Sequence, residues 1–171
     1  MRIEDEIRNW KGKPKELVSF LTKNVKDDKK LFAQLVECLK TGSDVEKGIC
    51  GDVMKYVSRD NPEYVIPYVD TVIDYLNYRA SKVKWVTAEV IGNITQRFPE
   101  EASKAVPKLL INTKDNGTVT RWSAAFALSE IVKYNSRIHK ELVPQITEII
   151  KKENNNGVKN VYLKALKSIN K

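Results

Sequence analysis

The 171-residue sequence predicts an all-α fold, a stack of antiparallel helix pairs, on three observations. Strand-type alternation over four or more residues is hard to find anywhere. A unit recurs: VIGNITQRFPEEASKAVPKLL (90–110) aligns with ALSEIVKYNSRIHKELVPQIT (127–147) under a shift of 37, which places Ile91 on Leu128, Ile94 on Ile131, Val106 on Val143 and Pro107 on Pro144. Polar turns at TGSD (41–44), KDNGT (114–118) and NNNG (154–157) each offer Gly or Asn for positive φ and a residue able to cap the next helix.

Along the chain, residues 1–26 stand outside the repeat. Their amphipathic segment IEDEIRNW predicts N-terminal capping helices, with Trp10 packed inward. The repeats follow at about 27–60, 62–98, 99–135 and 136–171, all within one domain spanning 1–171. ICGDVMKYVSRDNPEYVIPYV (49–69) is an earlier copy at a shift of about 40, and VKNVYLKALKSI (158–169) is a last half-copy. The first helix of a pair, such as PEYVIPYVDTVIDYLN, opens on a proline suited to N1, where its missing N–H would have no partner anyway. Pro67, Pro107 and Pro144 then recur within these first helices and should bend them. Ser43 and Glu46 have capping-box spacing at the start of a second helix.

These residues resemble HEAT repeats, within the armadillo-like α-solenoids. Pro107, Asp115, Val119 and Arg121 with Ala124, Ala127, Leu128 and Ile131 fit that pattern best, and Val83–Lys84 and Val158–Lys159 supply its Val-Lys step. The pattern is imperfect: one residue separates Val119 from Arg121, and Tyr78 to Ser81 lacks the turn aspartate. The resemblance implies a right-handed solenoid of about four repeats whose second helices line a concave binding surface.

Helical angles separate two faces of those second helices. Val83, Val86, Val90, Ile91, Ile94 and Phe98 form one apolar arc, and Ala124, Ala127, Leu128 and Ile131 another. Away from the arcs lie Trp85, Glu89, Gly92 and Gln96 on one repeat and Trp122, Phe126, Ser129 and Lys133 on the next. Asn160, Lys164 and Lys167, with Lys171, continue the line. Lys82, Lys84, Arg121 and Lys159 sit at the helix mouths. Two readings of Trp85 and Trp122 stand side by side: an aromatic shelf for a ligand, flanked by cations, or packing against the adjacent repeat.

Composition narrows the function. The chain is 42% hydrophobic and 30% charged, which suits a globular helical protein. No run approaches the ~18 apolar residues of a membrane span, and MRIEDEIRNWKGK lacks a signal-peptide core, so a cytoplasmic location is expected. Cys38 and Cys50 read as reduced, buried thiols, His139 as a surface residue, and no spacing of metal ligands exists. Neither a phosphate-binding loop nor a GxSxG elbow occurs, so no cofactor and no catalytic residue are assigned.

The net charge is +8, and the last 21 residues hold six lysines against one glutamate. The expectation is a non-catalytic scaffold, monomeric or weakly self-associating, that recognises a protein or peptide through its concave face. The alternative is nucleic-acid binding through the basic C-terminal repeats. Trp85, Trp122, Arg121 and Glu89 or Glu130 also give a weaker resemblance to HEAT-like alkylpurine DNA glycosylases, although that family's catalytic tryptophan–aspartate segment matches no stretch here.

Overall fold

A computed structural model describes residues 1–170, and among them there are eleven α-helices and no strand. The helices are α1 (Ile3–Asn9), α2 (Pro14–Asp27), α3 (Lys30–Thr41), α4 (Asp44–Asp60), α5 (Val69–Asp74), α6 (Ser81–Ile94), α7 (Pro99–Ser103), α8 (Val106–Asn112), α9 (Thr118–Tyr134), α10 (His139–Lys152) and α11 (Asn156–Ile169). One layer is built from α2, α4, α6, α9 and α11, each packed beside the next in chain order. The other layer, α1, α3, α5, α7–α8 and α10, lies against its outer side, with α3 on α4, α5 on α6, α8 on α9 and α10 on α11. The molecule is an all-α solenoid.

The core lies between the layers and follows the apolar arcs. Val83, Val86, Val90, Ile91 and Ile94 of α6, with Ala124, Ala127, Leu128 and Ile131 of α9, are fully buried. A fully buried leucine or isoleucine side chain contributes roughly 1.5–3 kcal/mol relative to exposure, so these few positions account for much of the cohesion of two adjacent pairs. Phe98 departs from the expected arc: α6 ends at Ile94, and Phe98 is the half-buried residue before α7.

The recurrent prolines act less uniformly than the repeat implies. Pro67 sits in a 3-10 turn (Ile66–Tyr68) that follows another (Pro62–Tyr64), so the first helix of that pair has only α5 as its α-helical part. Pro107 starts α8 after a break behind α7, whereas Pro144 is accommodated inside a continuous α10. Pro67 and Pro107 lie in the first turn of their elements, where the missing N–H would have no partner, so only Pro144 removes a helix hydrogen bond, and α10 tolerates that loss within its otherwise intact helix.

The turns differ from expectation in one respect. No described residue has positive φ. Gly42, Gly117 and Asn155 instead adopt extended conformations ahead of the second helices (φ −72°, −80° and −88°). Gly42 closes α3, donating its N–H to the Cys38 carbonyl, whereas Gly117 and Asn155 are the N-caps of α9 and α11, and the Asn155 side chain accepts the Val158 N–H. Ser43 Oγ accepts the Glu46 N–H at 3.2 Å, while the Glu46 carboxylate accepts the Ser43 N–H at 2.8 Å, completing the expected capping box.

Glycine sets how closely neighbouring second helices approach. A Cβ at Gly51 would lie 2.2 Å from Val86 Cγ2, and one at Gly92 would lie 2.2 Å from Phe126 Cε2. Gly92, placed by sequence among the free-face residues, is therefore buried beneath the next helix's aromatic ring. Ser129 is likewise buried, donating to the Val161 carbonyl of α11 at 3.3 Å.

Candidate functional site

The free face of the second-helix layer carries a row of aromatic side chains. Tyr56 of α4 and Trp122 of α9 are 38% and 39% exposed, and Trp85 and Phe126 are half-buried between them. Trp122 and Phe126, one helical turn apart, stack with centroids 5.9 Å apart and planes 8° from parallel. Lys82 lies over the Trp85 ring at 4.8 Å, and Lys55 and Arg59 lie over Tyr56 at 4.5 and 5.0 Å. These distances suit cation–π attraction, so the rings are flanked by cations along the face.

The cations at the helix mouths divide into two groups. Lys84 donates to Asp115 at 2.8 Å, and Arg121 grips the Glu153 carboxylate (3.0 and 3.3 Å) and the Asp115 and Asn116 carbonyls. One column thus reaches from each second helix into the turn of the following pair. Burial pushes the Asp115 carboxyl up, but the Lys84 bond and the Gly117 N–H more than reverse this, and it lies below the usual carboxylate range. Glu153 behaves alike, with burial outweighed by Arg121 and by the Asn155 and Asn154 N–H groups. The structure gives Lys84 and Arg121 this bracing role. Lys159, half-buried on α11, is the corresponding residue 38 positions after Arg121.

A second group of cations lies further along the free face and pairs with carboxylates there. Lys55 bridges Asp52 (3.2 Å) and Glu89 (3.6 Å), Lys82 meets Asp52 at 2.7 Å, and Lys133 meets Glu130 at 2.6 Å. Burial raises the Glu89 carboxyl above its ordinary range, and Lys55 and Arg59 only partly pull it back. Glu89 Oε2 is enclosed without a hydrogen-bond donor, the ion pair aside. On α11, Asn160, Lys164 and Lys167 are exposed and lie 38 positions beyond Trp122, Phe126 and Ser129 of α9. Gln96, just past the end of α6, is exposed as well.

Sequence reasoning began the ridge at Trp85 and missed its N-terminal part. A groove of ≈ 1190 Å³ runs between α2 and α4 to Lys82, floored by Val18, Ile49 and Gly48 and edged by Lys15, Lys23 and Arg59. The signal was present for α4, since Tyr56 and Arg59 precede Asn93 and Gln96 by 37 positions. For α2 there was none, because its residues do not share the repeat.

Among the described residues no cluster of metal-ligand type occurs, and no helix is long and apolar enough to cross a membrane. Cys38 and Cys50 are buried free thiols. His139, expected at the surface, is half-buried at the start of α10, with its Nε2 against the Val132 carbonyl near the end of α9.

No family model and no curated protein matches the chain. Solved structures do. An engineered protein superposes with a TM-score of 0.73 at 17% identity, covering 91% of this chain and 72% of that one. A computationally designed armadillo repeat protein for modular peptide recognition gives 0.68 at 16% identity, over 89% and 74% of the two chains. A designed armadillo repeat protein in complex with the peptide (KR)4 gives 0.62 at 14%, over 91% and 82%. None of these neighbours supports the resemblance to alkylpurine DNA glycosylases, and both carboxylates named for it, Glu89 and Glu130, are tied into ion pairs. The chain folds as an armadillo/HEAT-like α-solenoid.

Proposed function

We propose that the protein is a non-catalytic scaffold that binds an extended peptide segment of a partner protein along the free face of α2, α4, α6, α9 and α11. The observation that carries this reading is the row of aromatic side chains, Tyr56, Trp85, Trp122 and Phe126, presented at successive helices and flanked by polar groups. Aromatic anchors with a polar rim are the composition of interface hot spots. Rigid, regularly spaced helices also suit a ligand whose side chains recur at a fixed rise. A designed armadillo repeat protein for modular peptide recognition and another in complex with the peptide (KR)4 share this fold and support the same use.

The binding residues are Trp85, Trp122 and Phe126 as apolar anchors, Glu89, Gln96 and Lys133 as polar contacts beside them, and Lys164 and Lys167 at the C-terminal end. Arg121 and Lys159 act one step back, at the turns that hold the helices in line. Selection of twelve-residue peptides from a random display library tests the proposal. Enriched peptides should bind the wild-type chain at least about tenfold more tightly than a Trp85→Ala/Trp122→Ala variant of unchanged circular dichroism, as expected for loss of hot-spot anchors. Equal binding to both chains would overturn it.

A further inference from the structure

The charges on the proposed face are not merely mixed; they are unequally satisfied. Each carboxylate there has a partner: Asp44 with Arg79, Asp52 with Lys55 and Lys82, Asp60 with Lys26, Glu89 with Lys55, and Glu130 with Lys133. The cations outnumber them. Among the described residues Lys15 and Lys23 of α2, Arg59 of α4, and Lys164 and Lys167 of α11 have no carboxylate within ion-pair distance. These five lie in two groups, one at each end of the face, and the aromatic stretch between them holds only cations already neutralised.

Resting on the peptide reading above, we propose that the ligand is an extended segment with carboxylates at both ends and apolar or aromatic side chains in the middle. The N-terminal carboxylate site is the α2–α4 groove, where Lys15, Lys23 and Arg59 rim an apolar floor. The second is the Lys164–Lys167 edge of α11. Trp85, Trp122 and Phe126 take the central side chains. Adjacent helices pack about 8–10 Å apart, so four steps from α2 to α11 span roughly 32–40 Å. At about 3.3 Å per extended residue, that is roughly ten to twelve residues.

A basic peptide like the one held by the designed neighbour is disfavoured, because the face has no unpaired carboxylate to receive it. A nucleic acid is disfavoured for a different reason. Its phosphates come at every nucleotide, and those crossing the middle would meet paired cations and two carboxylates, Glu89 and Glu130, instead of free charge.

The test uses the full chain and four twelve-residue probes: a peptide with three acidic residues at each end and a Leu/Trp-containing centre; the same composition with the acids moved to the centre; the first peptide with lysines replacing its acids; and a twelve-nucleotide oligothymidylate. Fluorescence anisotropy at about 0.15 M salt should place the first peptide at least about tenfold tighter than the other three. Lys15→Glu/Lys23→Glu and Lys164→Glu/Lys167→Glu should each weaken it by about tenfold or more at unchanged circular dichroism, while binding of the lysine-ended peptide improves. Equal binding of the rearranged peptide, or tighter binding of the lysine-ended one, would overturn the charge assignment. If these peptides still required Trp122, the peptide reading would survive. Tighter binding of the oligonucleotide, insensitive to Trp122→Ala, would overturn both.

Discussion

Two seams in the second-helix layer are built differently. Between α6 and α9 the helices meet through Gly92, which admits the Phe126 ring, and the seam is braced by Lys84 reaching Asp115. Between α2 and α4 there is a groove instead. The sequence of α2, PKELVSFLTKNVKD, contains no glycine, and its exposed link across the seam is Lys26 to Asp60. The buried Thr22 hydroxyl beside the groove has no hydrogen-bond partner. The closed α6–α9 seam thus combines a small residue at the crossing with a cation that reaches the next turn. Where neither is supplied, the same architecture leaves space for a ligand.

The largest expected effect lies behind the closed seam. Leu128→Ala, at a fully buried site, should destabilise by about 2–5 kcal/mol. Val18→Ala, on the half-buried groove floor, should cost less than about 1 kcal/mol. Urea denaturation of the two variants checks both. Equal losses would mean that the α2–α4 seam is as consolidated as the one between α6 and α9.

Next comes the bracing column. Arg121→Met removes charged hydrogen bonds to a buried carboxylate and should lose roughly 1.5–3 kcal/mol at neutral pH. Because Glu153 is held below the ordinary carboxylate range when folded, its pairing stabilises above the unfolded value of about 4.3 and is lost as pH falls through the lower folded value. The gap in thermal midpoint between wild type and variant should therefore narrow on acidification from pH 7 to pH 3. A gap that stays constant would remove the ion pair as the cause.

How far the sequence reaches is clear from particular residues. Val83, Val90, Ile91 and Ile94 were legible because burial follows helical angle, and the Ser43–Glu46 cap because it is local. Gly92 was misplaced because a glycine carries no hydropathy signal and is covered only by a ring 34 positions away. The same limit hid the pairing of Lys84 and Arg121, which depends on where the following turn falls. It also hid the α2–α4 groove, which arises from the spacing of two helices and not from a property of either.

The smallest effect concerns that Gly92 crossing. Alanine is favoured over glycine within a helix by about 1 kcal/mol, so Gly92→Ala would stabilise an isolated α6. In the stack its Cβ would lie 2.2–2.9 Å from three Phe126 ring atoms. The ring must then shift, and overpacking of this kind costs about 1–3 kcal/mol, leaving a net loss of up to about 2 kcal/mol. A double-mutant cycle with Phe126→Leu separates the two terms, since the smaller side chain should restore the helical gain. If Gly92→Ala is just as harmful in the Phe126→Leu background, the close crossing is not what demands glycine at this seam, and its contrast with the α2–α4 groove needs a different cause.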